Sequence, residues 1–293
     1  MRNRDRDMSN DPYSNNRALW DDWAAAHLDT SFYREFVAKL ESGVDALLPL
    51  EKQELGDLAG LRVLHLQCHV GTDTLSLVRR GATVTGVDFS SVAIERARGL
   101  AQRLDIPADF VLAEIADLPE DFEGAFDLVF ASYGVVNWLR DLDVWARAIH
   151  SCLRPGGRFY VVDGHPLAFC VADRCDLEGG RLTLEFPYLR TQEPVRFPLS
   201  GSYANPDSDS RHTSDEWPHG LAEIVMAVVD AGMQLEFVRE HALGYAPILD
   251  GMVRGDDGHW RWPGGMDGKF PLVFSLSARR PNAPPSLARA LGS

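Results

Sequence analysis

The stretch from Leu61 to Ser90, LRVLHLQCHVGTDTLSLVRRGATVTGVDFS, constrains this chain more than any other. Val63, Leu64 and Leu66 make a short apolar run suited to a strand buried in a parallel sheet, and the polar Gln67-Cys68-His69 stops it. Gly71 marks a point where backbone passes close to a neighbour. Thr72 or Asp73 is placed to cap a helix through Arg80, and Gly81 to end it. Ala82 to Val87 reads as the next strand, with Asp88 at its carboxyl end. Strand, turn, helix, strand and acid form half of a nucleotide-binding βαβ unit, in which the acid accepts hydrogen bonds from a ribose.

The turn narrows the ligand. A dinucleotide fingerprint needs three glycines, because a pyrophosphate lies against the turn and the helix amino terminus. Only Gly71 is present here, after Gln67, Cys68, His69 and Val70. A ligand with one ribose and no phosphate fits better, and S-adenosylmethionine is such a ligand. Val63-Leu64-His65-Leu66-Gln67-Cys68-His69-Val70-Gly71 resembles the first motif of class I S-adenosylmethionine-dependent methyltransferases, and Gly86-Val87-Asp88-Phe89-Ser90 resembles their second. The LQCH turn is similar to one in a subgroup of bacterial small-molecule methyltransferases. The family's usual first motif has an acid at the position of His65 and glycines at those of Gln67 and His69; Cys68 and Gly71 match. Farther on, Leu153-Arg154-Pro155-Gly156-Gly157-Arg158-Phe159 is similar to another frequent family pattern.

The resemblance implies an α/β fold: a Rossmann-like, seven-stranded mixed sheet of order 3-2-1-4-5-7-6 with its last strand antiparallel. An N-terminal helical cap and an antiparallel β insertion complete the expected architecture. It also implies S-adenosyl-L-methionine as cofactor and S-adenosyl-L-homocysteine as product. Carried over residue by residue, it assigns cofactor contacts to Gln67, Cys68, His69, Gly71, Thr72 and Asp73, then to Asp88, Phe89 and Ser90. Glu114 falls in the slot beside the adenine amino group, with Ile115 near the base, and Ser132-Tyr133-Gly134 corresponds to the loop covering the sulfonium. Helices ahead of the first strand often close over the cofactor in this family, which makes Trp20, Trp23, His27 and Tyr33 lid candidates; an aromatic packing face reads equally well.

Composition limits the partners. A formal charge of −14 over 293 residues argues against a polyanion, because nucleic-acid binding needs a concentrated basic surface. Cys68, Cys152, Cys170 and Cys175 lack metal-ligand spacing and read as reduced thiols, so no metal is expected. Met1 to Asn16 is polar, without the apolar core of a signal peptide, and reads as disordered. No apolar run is long enough to span a bilayer. A cytoplasmic monomer or homodimer with no membrane or nucleic-acid partner is expected.

The expected organisation is a tail and helical cap over 1–60, a cofactor-binding domain over 61–280, and a tail over 281–293. Arg17 to Leu50 is helical by pattern, with Trp20, Trp23, Ala24 and His27 on one face and Phe32, Phe36 and Leu40 on another. Ser90 or Ser91 caps the helix after Asp88; Asp109 to Ala113, Phe126 to Ala131 and Arg158 to Asp163 are the third to fifth strands. Two insertions, at about 167–214 and 241–270, interrupt the carboxyl-terminal part of that domain. In the first, Arg181 to Phe186 alternates as an exposed strand does, with Val195 to Tyr203 as its partner. Gln234 to Glu240 and Pro271 to Arg279 supply the last two strands.

Methyl transfer from a sulfonium is an in-line displacement, so holding the acceptor about 3 Å from the methyl matters most, worth roughly 7–11 kcal/mol in favourable cases. A base helps only where a phenol or alcohol must lose its proton. Histidine suits that role near neutral pH. His165, after the fifth strand, is the first candidate, followed by His219 and His212; a backbone-bonded structural histidine is the competing reading for each. Tyr203 is a candidate to hydrogen-bond an acceptor hydroxyl, with a packing role the favoured reading. Aromatics crowd the insertions, and Tyr33, Trp138, His165, Tyr203, Trp217 and Tyr245 are the candidate acceptor contacts for a flat or apolar secondary metabolite, with oxygen the favoured acceptor atom. Two other classes compete: an NAD-type oxidoreductase using Asp88 on ribose, and a non-catalytic S-adenosylmethionine-binding module.

Overall fold

The computed structural model describes residues 12–172, 181–198, 201–205, 213–249, 251–263 and 268–282. Three helices come first: α1 (Pro12–His27), α2 (Ser31–Glu41) and α3 (Pro49–Leu55). After them come β1 (Arg62–Leu66), α4 (Thr72–Arg79), β2 (Thr83–Asp88), α5 (Ser91–Leu104), β3 (Asp109–Leu112), β4 (Phe126–Ser132), α6 (Leu142–Cys152) and β5 (Leu153–Gly164). The carboxyl-terminal part holds β6 (Val195–Pro198), β7 (Thr213–Glu216), α7 (Leu221–Asp230), β8 (Gln234–His241), β9 (Val253–Arg254), β10 (Trp260–Arg261) and β11 (Val273–Arg279).

Seven strands form one sheet in the order β3-β2-β1-β4-β5-β11-β8, which is the expected 3-2-1-4-5-7-6 counted along the sheet's own strands. β11 runs antiparallel to both β5 and β8, while β3, β2, β1, β4 and β5 are mutually parallel. The central strands are buried on both faces, as parallel strands flanked by helices must be. On one side Trp145, Ile149 and Val228 of α6 and α7 pack on Val129, Phe159 and Phe274; on the other, Leu77 of α4 and Leu55 of α3 pack on Val63, Leu128 and Tyr160. The antiparallel edge lets the chain return without a crossover helix.

Several local expectations are corrected. The stretch from Arg17 to Leu50 that is helical by pattern divides into three helices, the first starting at Pro12 and the last ending at Leu55. The Thr30 hydroxyl accepts the Tyr33 N–H to start α2, Gly43 at φ 84° follows its end, and Pro49 opens α3. The expected disordered tail shrinks, because Tyr13 to Asn16 belong to α1. Asn15 Nδ2 donates to the Thr213 carbonyl (2.6 Å) and Asp215 Oδ2 (2.9 Å), and Asn16 exchanges hydrogen bonds with the Asp215 backbone at 2.7 and 2.9 Å. α4 is not capped by Thr72 or Asp73: Gly71 holds the N-cap position at φ 80°, and no side chain caps the helix. Ser90 does cap α5 through the Ala93 N–H.

The antiparallel insertion exists with a different pairing. β6 pairs with β7, and Arg181 to Phe186 forms no strand, contributing an isolated bridge from Leu184 to Val171. The Thr213–Glu216 sequence, TSDE, has no strand-like alternation; its pairing is imposed by the α1 asparagines that brace it. No helix among the described residues is long and apolar enough to cross a membrane.

Gly71 and Gly86 let the first turn nest against its neighbours. A Cβ on Gly71 would lie 2.9 Å from the Phe110 ring, and one on Gly86 would lie 2.9 Å from both Cys68 Sγ and Phe110. Gly71 also needs its positive φ. Gly71→Ala should therefore lose about 2–3 kcal/mol in urea unfolding, from backbone strain and overpacking together. Unfolding midpoints matching the parent would contradict this packing.

Candidate functional site

The site is built at the carboxyl rim of the parallel strands, where open α/β sheets bind ligands. Asp88 ends β2 there, and its buried carboxylate clamps the adjoining turns. Oδ2 accepts the His69 N–H at 2.8 Å, and Oδ1 accepts the Ser90 N–H at 2.9 Å. Burial raises the Asp88 pKa to about 6 against these hydrogen bonds, with Asp21 adding a smaller push upward. In the turn between β1 and α4, Gln67 (φ 54°) and His69 (φ 48°) occupy the left-handed region, at the two positions where the resembling motif has glycine. The backbone path is thus kept with side chains attached, at a cost of order 1–3 kcal/mol per residue.

The Gln67 amide donates to the Val135 carbonyl at 3.1 Å, and His69 faces α1, which lies across the rim like a roof. Arg17 ion-pairs with Glu114 just past β3, and its guanidinium lies 5.8 Å from the Phe89 ring centre. The Ser90 hydroxyl donates to Asp21, which also accepts the Val92 N–H at 3.3 Å. Trp20 meets His69 and Trp138 edge-on at 5.1 Å, and Trp23 at 5.0 Å. His27 bonds His69 through Nδ1 and Nε2 at 2.8 Å, and the Ser202 hydroxyl through its own Nε2 at 3.0 Å. Burial lowers the His27 pKa to about 4 and holds His69 well below the ordinary value, so the pair is neutral at pH 7. Trp23 Nε1, Gln67 Oε1 and His69 Nδ1 are buried here without a hydrogen-bond partner. Buried polar atoms left unpaired are costly, and three of them around one turn mark a place prepared for a polar ligand.

Beside the turn, the Ser132 hydroxyl donates to Asp73 Oδ2 at 2.8 Å and lies 3.5 Å from His65 Nε2; His65 Nδ1 bonds Thr74 Oγ1 at 2.8 Å. Burial raises Asp73 to about 6 and lowers His65 to about 3. The acid that the resembling motif has at the His65 position is thus replaced by a carboxylate from the first turn of α4, joined to a neutral His65 through Ser132. The loop after β4 is fixed by Asp163 at the end of β5, which accepts the N–H groups of Gly134, Val135 (2.9 Å) and Val136 (2.8 Å). Tyr133, at φ 47°, stacks on Tyr245 at 4.4 Å. The Tyr33 and Tyr203 hydroxyls bond each other, and burial raises both phenols above their ordinary pKa.

A cleft opens beside the end of that loop. It holds about 470 Å³ of empty space, part of it open to solvent, between Val136 and Asn137 of the β4 loop, Gly164 and Pro166 after β5, and rings of the insertion. Phe186 and Phe197 meet there at 4.5 Å, and Phe169, Tyr188, Glu216 and His219 are also in the lining.

The predicted residues therefore fall into distinct groups. Trp23, Gln67, Cys68, His69, Gly71, Thr72, Asp73, Asp88, Phe89, Ser90, Ser132, Tyr133 and Gly134 gather around the roofed rim, with Glu114 at its exposed end. Ile115 packs partly on the core beneath α6. Cys68 is buried, and burial raises its thiol well above the ordinary pKa. Tyr33, Tyr203 and Trp138 join the roof, and Tyr245 joins through Tyr133. His165 is not brought to this group. Its Nδ1 accepts the Leu167 N–H at 3.1 Å and its Nε2 bonds Glu240 at 3.0 Å, so neither nitrogen is available as a base. His219 lines the cleft, but its Nε2–H is spent on the Leu139 carbonyl at 2.6 Å, and Nδ1 faces Glu223 at 3.3 Å. Trp217 is a structural brace, stacked on Tyr13 and donating its N–H to the Asn137 carbonyl at 2.7 Å. His212 lies outside the described residues. Sequence reasoning missed Asp21, Asp163 and Glu216. An acid closing a parallel strand was a usable signal for Asp163; Glu216 sits in irregular sequence and carried none.

Residues 63–157 match the family model described as a methyltransferase domain. An uncharacterized methyltransferase of Synechocystis is 38% identical over 120 residues, covering 40% of this chain and 53% of that protein. A ubiquinone biosynthesis O-methyltransferase of Alkalilimnicola ehrlichii is 31% identical over 125 residues, covering 41% and 49%. The chain thus spans about half the length of the curated relatives it matches. The crystal structure of an S-adenosylmethionine-dependent methyltransferase from Mesorhizobium loti shares the fold, with TM-score 0.55 and 22% identity over 79% of this chain and 96% of that one. The matched segment runs from β1 to the start of β5 and contains the Asp88 turn. S-adenosylmethionine is the cofactor that this domain and fold imply.

The raised Asp73 pKa has a thermodynamic consequence. The folded state binds this proton more tightly than the unfolded chain, so Asp73 opposes folding above pH 6 and ceases to do so below pH 4. Asp73→Asn, which keeps an acceptor for Ser132, should raise stability by about 2 kcal/mol at pH 8, with the gain fading between pH 6 and 4. Urea unfolding across that range checks this; a gain independent of pH would contradict it.

Proposed function

We propose that this chain transfers a methyl group from S-adenosylmethionine to a small, flat or apolar acceptor, with oxygen the favoured atom. The observation that carries the reading is the Asp88 rim: a buried carboxylate at the end of β2, beside a strained turn whose unpaired polar atoms lie beneath α1. The residues present fit the cofactor. A carboxylate has about four lone-pair sites, so Asp88 keeps acceptor capacity for two ribose hydroxyls beyond the N–H groups of His69 and Ser90. Asp73 and Gln67 Oε1 are acceptors for an α-ammonium, and Trp23 Nε1 is a buried donor for an α-carboxylate. Phe89 and Ile115 flank the place for the base, with Glu114 at its edge.

Bound there, S-adenosylmethionine supplies an electrophilic methyl on a cationic sulfonium. The chain's own contribution is positioning. Asp163 fixes the Gly134–Val136 backbone, whose Val136 lines the aromatic cleft, and α1 covers the rim. Phenols are protonated near pH 7 and burial raises Tyr33 and Tyr203 further, so this hydrogen-bonded pair braces the roof and does not serve as a base. With both ring nitrogens of His165 engaged, proximity rather than histidine base catalysis carries this reading. That one partial relative is a ubiquinone biosynthesis O-methyltransferase supports oxygen as the acceptor atom.

Thermal shift measurements with S-adenosylhomocysteine, S-adenosylmethionine and NAD test the proposal. Stabilisation by both adenosyl ligands and not by NAD is expected, following mass action with ligand concentration. Asp88→Ala should weaken S-adenosylhomocysteine binding about tenfold or more by calorimetry, matching two lost charge-assisted hydrogen bonds. Stabilisation by NAD alone would overturn the reading. Binding of both adenosyl ligands without methylation of any acceptor in a broad panel would make the chain a non-transferring binder.

A further inference from the structure

The aromatic cleft has an uneven polar inventory. Glu216 ends β7 inside it. Its Oε1 accepts the Ser214 hydroxyl at 2.8 Å, and its Oε2 accepts Asn137 Nδ2. Both partners are neutral. Among the described residues, two arginines of the adjoining segments are committed to other acids: Arg196 pairs with Asp215 at 2.8 and 3.2 Å, and Arg190 with Glu223 at 3.3 Å. His219 Nε2 bonds the Leu139 carbonyl while its Nδ1 lies 3.3 Å from Glu223 without a hydrogen bond, and the Tyr188 hydroxyl accepts the Leu221 N–H at 3.1 Å. Because Nδ2 points to the carboxylate, the other Asn137 atom at this end is an acceptor, and that Oδ1 is buried without a partner. One end of the cleft is therefore a carboxylate and an amide oxygen, with no lysine or arginine among the described lining residues, and the aromatic part of the lining is Phe169, Phe186, Phe197 and Tyr188.

Such a site selects its ligand by charge. A carboxylate withdrawn from water without a countercharge is costly, and a ligand cation offsets that cost. Aromatic faces around an ammonium add cation–π attraction that an anion or a neutral alcohol does not obtain. We propose that this cleft is the acceptor subsite and that it takes an amine-bearing aromatic molecule, whose ammonium pairs with Glu216 while its ring lies among the phenylalanines. The proposal rests on the methyl-transfer reading of the neighbouring rim, with which the cleft shares the segment after β4: Ser132 bonds Asp73 at the rim, and Val136 and Asn137 line the cleft. A protonated amine has no lone pair to receive a methyl. The anchored nitrogen is thus a handle, and the methylated atom is another one, in agreement with oxygen as acceptor. Burial raises the Glu216 pKa, so pairing with a cation should also draw a proton from the free carboxyl and make binding pH-dependent.

The test is calorimetry on the full chain with saturating S-adenosylhomocysteine, using 2-phenylethylamine, 2-phenylethanol and phenylacetate as probes. The amine should bind about tenfold or more tightly than the alcohol, and phenylacetate should not bind measurably. Glu216→Gln should bring amine and alcohol within about twofold of each other while leaving S-adenosylhomocysteine affinity unchanged. Should that variant fold poorly, Phe197→Ala provides a second readout: weaker binding of both amine and alcohol with their ratio kept. Equal binding of amine and alcohol to the parent, or a preference that survives Glu216→Gln, would overturn the proposal. Amine preference without any S-adenosylhomocysteine binding would support the charge selection of the cleft and overturn the methyl-transfer reading of the rim.

Discussion

The Asp88 carboxylate is the joint on which the site depends. One oxygen fixes the turn after β1 and the other fixes the start of α5, so a single side chain sets two neighbouring βα connections against each other. It does this while buried, at a position where burial itself works against ionisation. A carboxylate is retained in such a place when hydrogen-bond donors offset its desolvation, and backbone N–H groups are donors that no point mutation elsewhere removes. Asp163 repeats the arrangement at the end of β5, where it collects N–H groups of the β4 loop. Two acids at the ends of parallel strands thus shape both sides of the crevice.

The second constraint is the trade made in the first turn. Glycine would take the left-handed backbone at Gln67 and His69 without strain; this chain places there an amide and an imidazole that contact other parts of the site. Gln67 reaches the Val135 carbonyl at 3.1 Å, joining the first turn to the β4 loop, and His69 bonds His27 of α1. The strained residues are the ones that connect the first turn to the β4 loop and to the roof, and backbone strain is commonly found in functional sites. α1 is further tied to the rim by Asp21 and to the insertion by Asn15 and Asn16, so roof, rim and cleft wall form one hydrogen-bonded unit.

The sheet was legible because each parallel strand is a short apolar run closed by a polar or acidic residue: Val63–Leu66 before Gln67, Val84–Val87 before Asp88, Leu128–Ala131 before Ser132. Its order came from the motif resemblance, since apolar runs say nothing of neighbours. The turn residues gathered where the motif put them, because they are adjacent in sequence and need only one local geometry. The features that were not legible depend on partners distant in sequence. Thr213–Glu216 pairs with β6 because asparagines nearly two hundred residues earlier hold it. His165 follows β5 at the rim, yet its ring turns to Glu240 on β8, a direction that position along the chain does not encode. Glu216 became visible as a site residue only when the insertion folded over it.

The central claim is that adenosine lies along the carboxyl ends of β1, β2 and β3, beneath α1, with its ribose on Asp88. A crystal structure of the chain with S-adenosylhomocysteine tests this most directly. The account predicts ligand density on that rim, both ribose hydroxyls within hydrogen-bonding distance of Asp88, and the homocysteine end reaching Asp73 and Gln67. Density at another place, or a ligand on the rim whose ribose avoids Asp88, would contradict it.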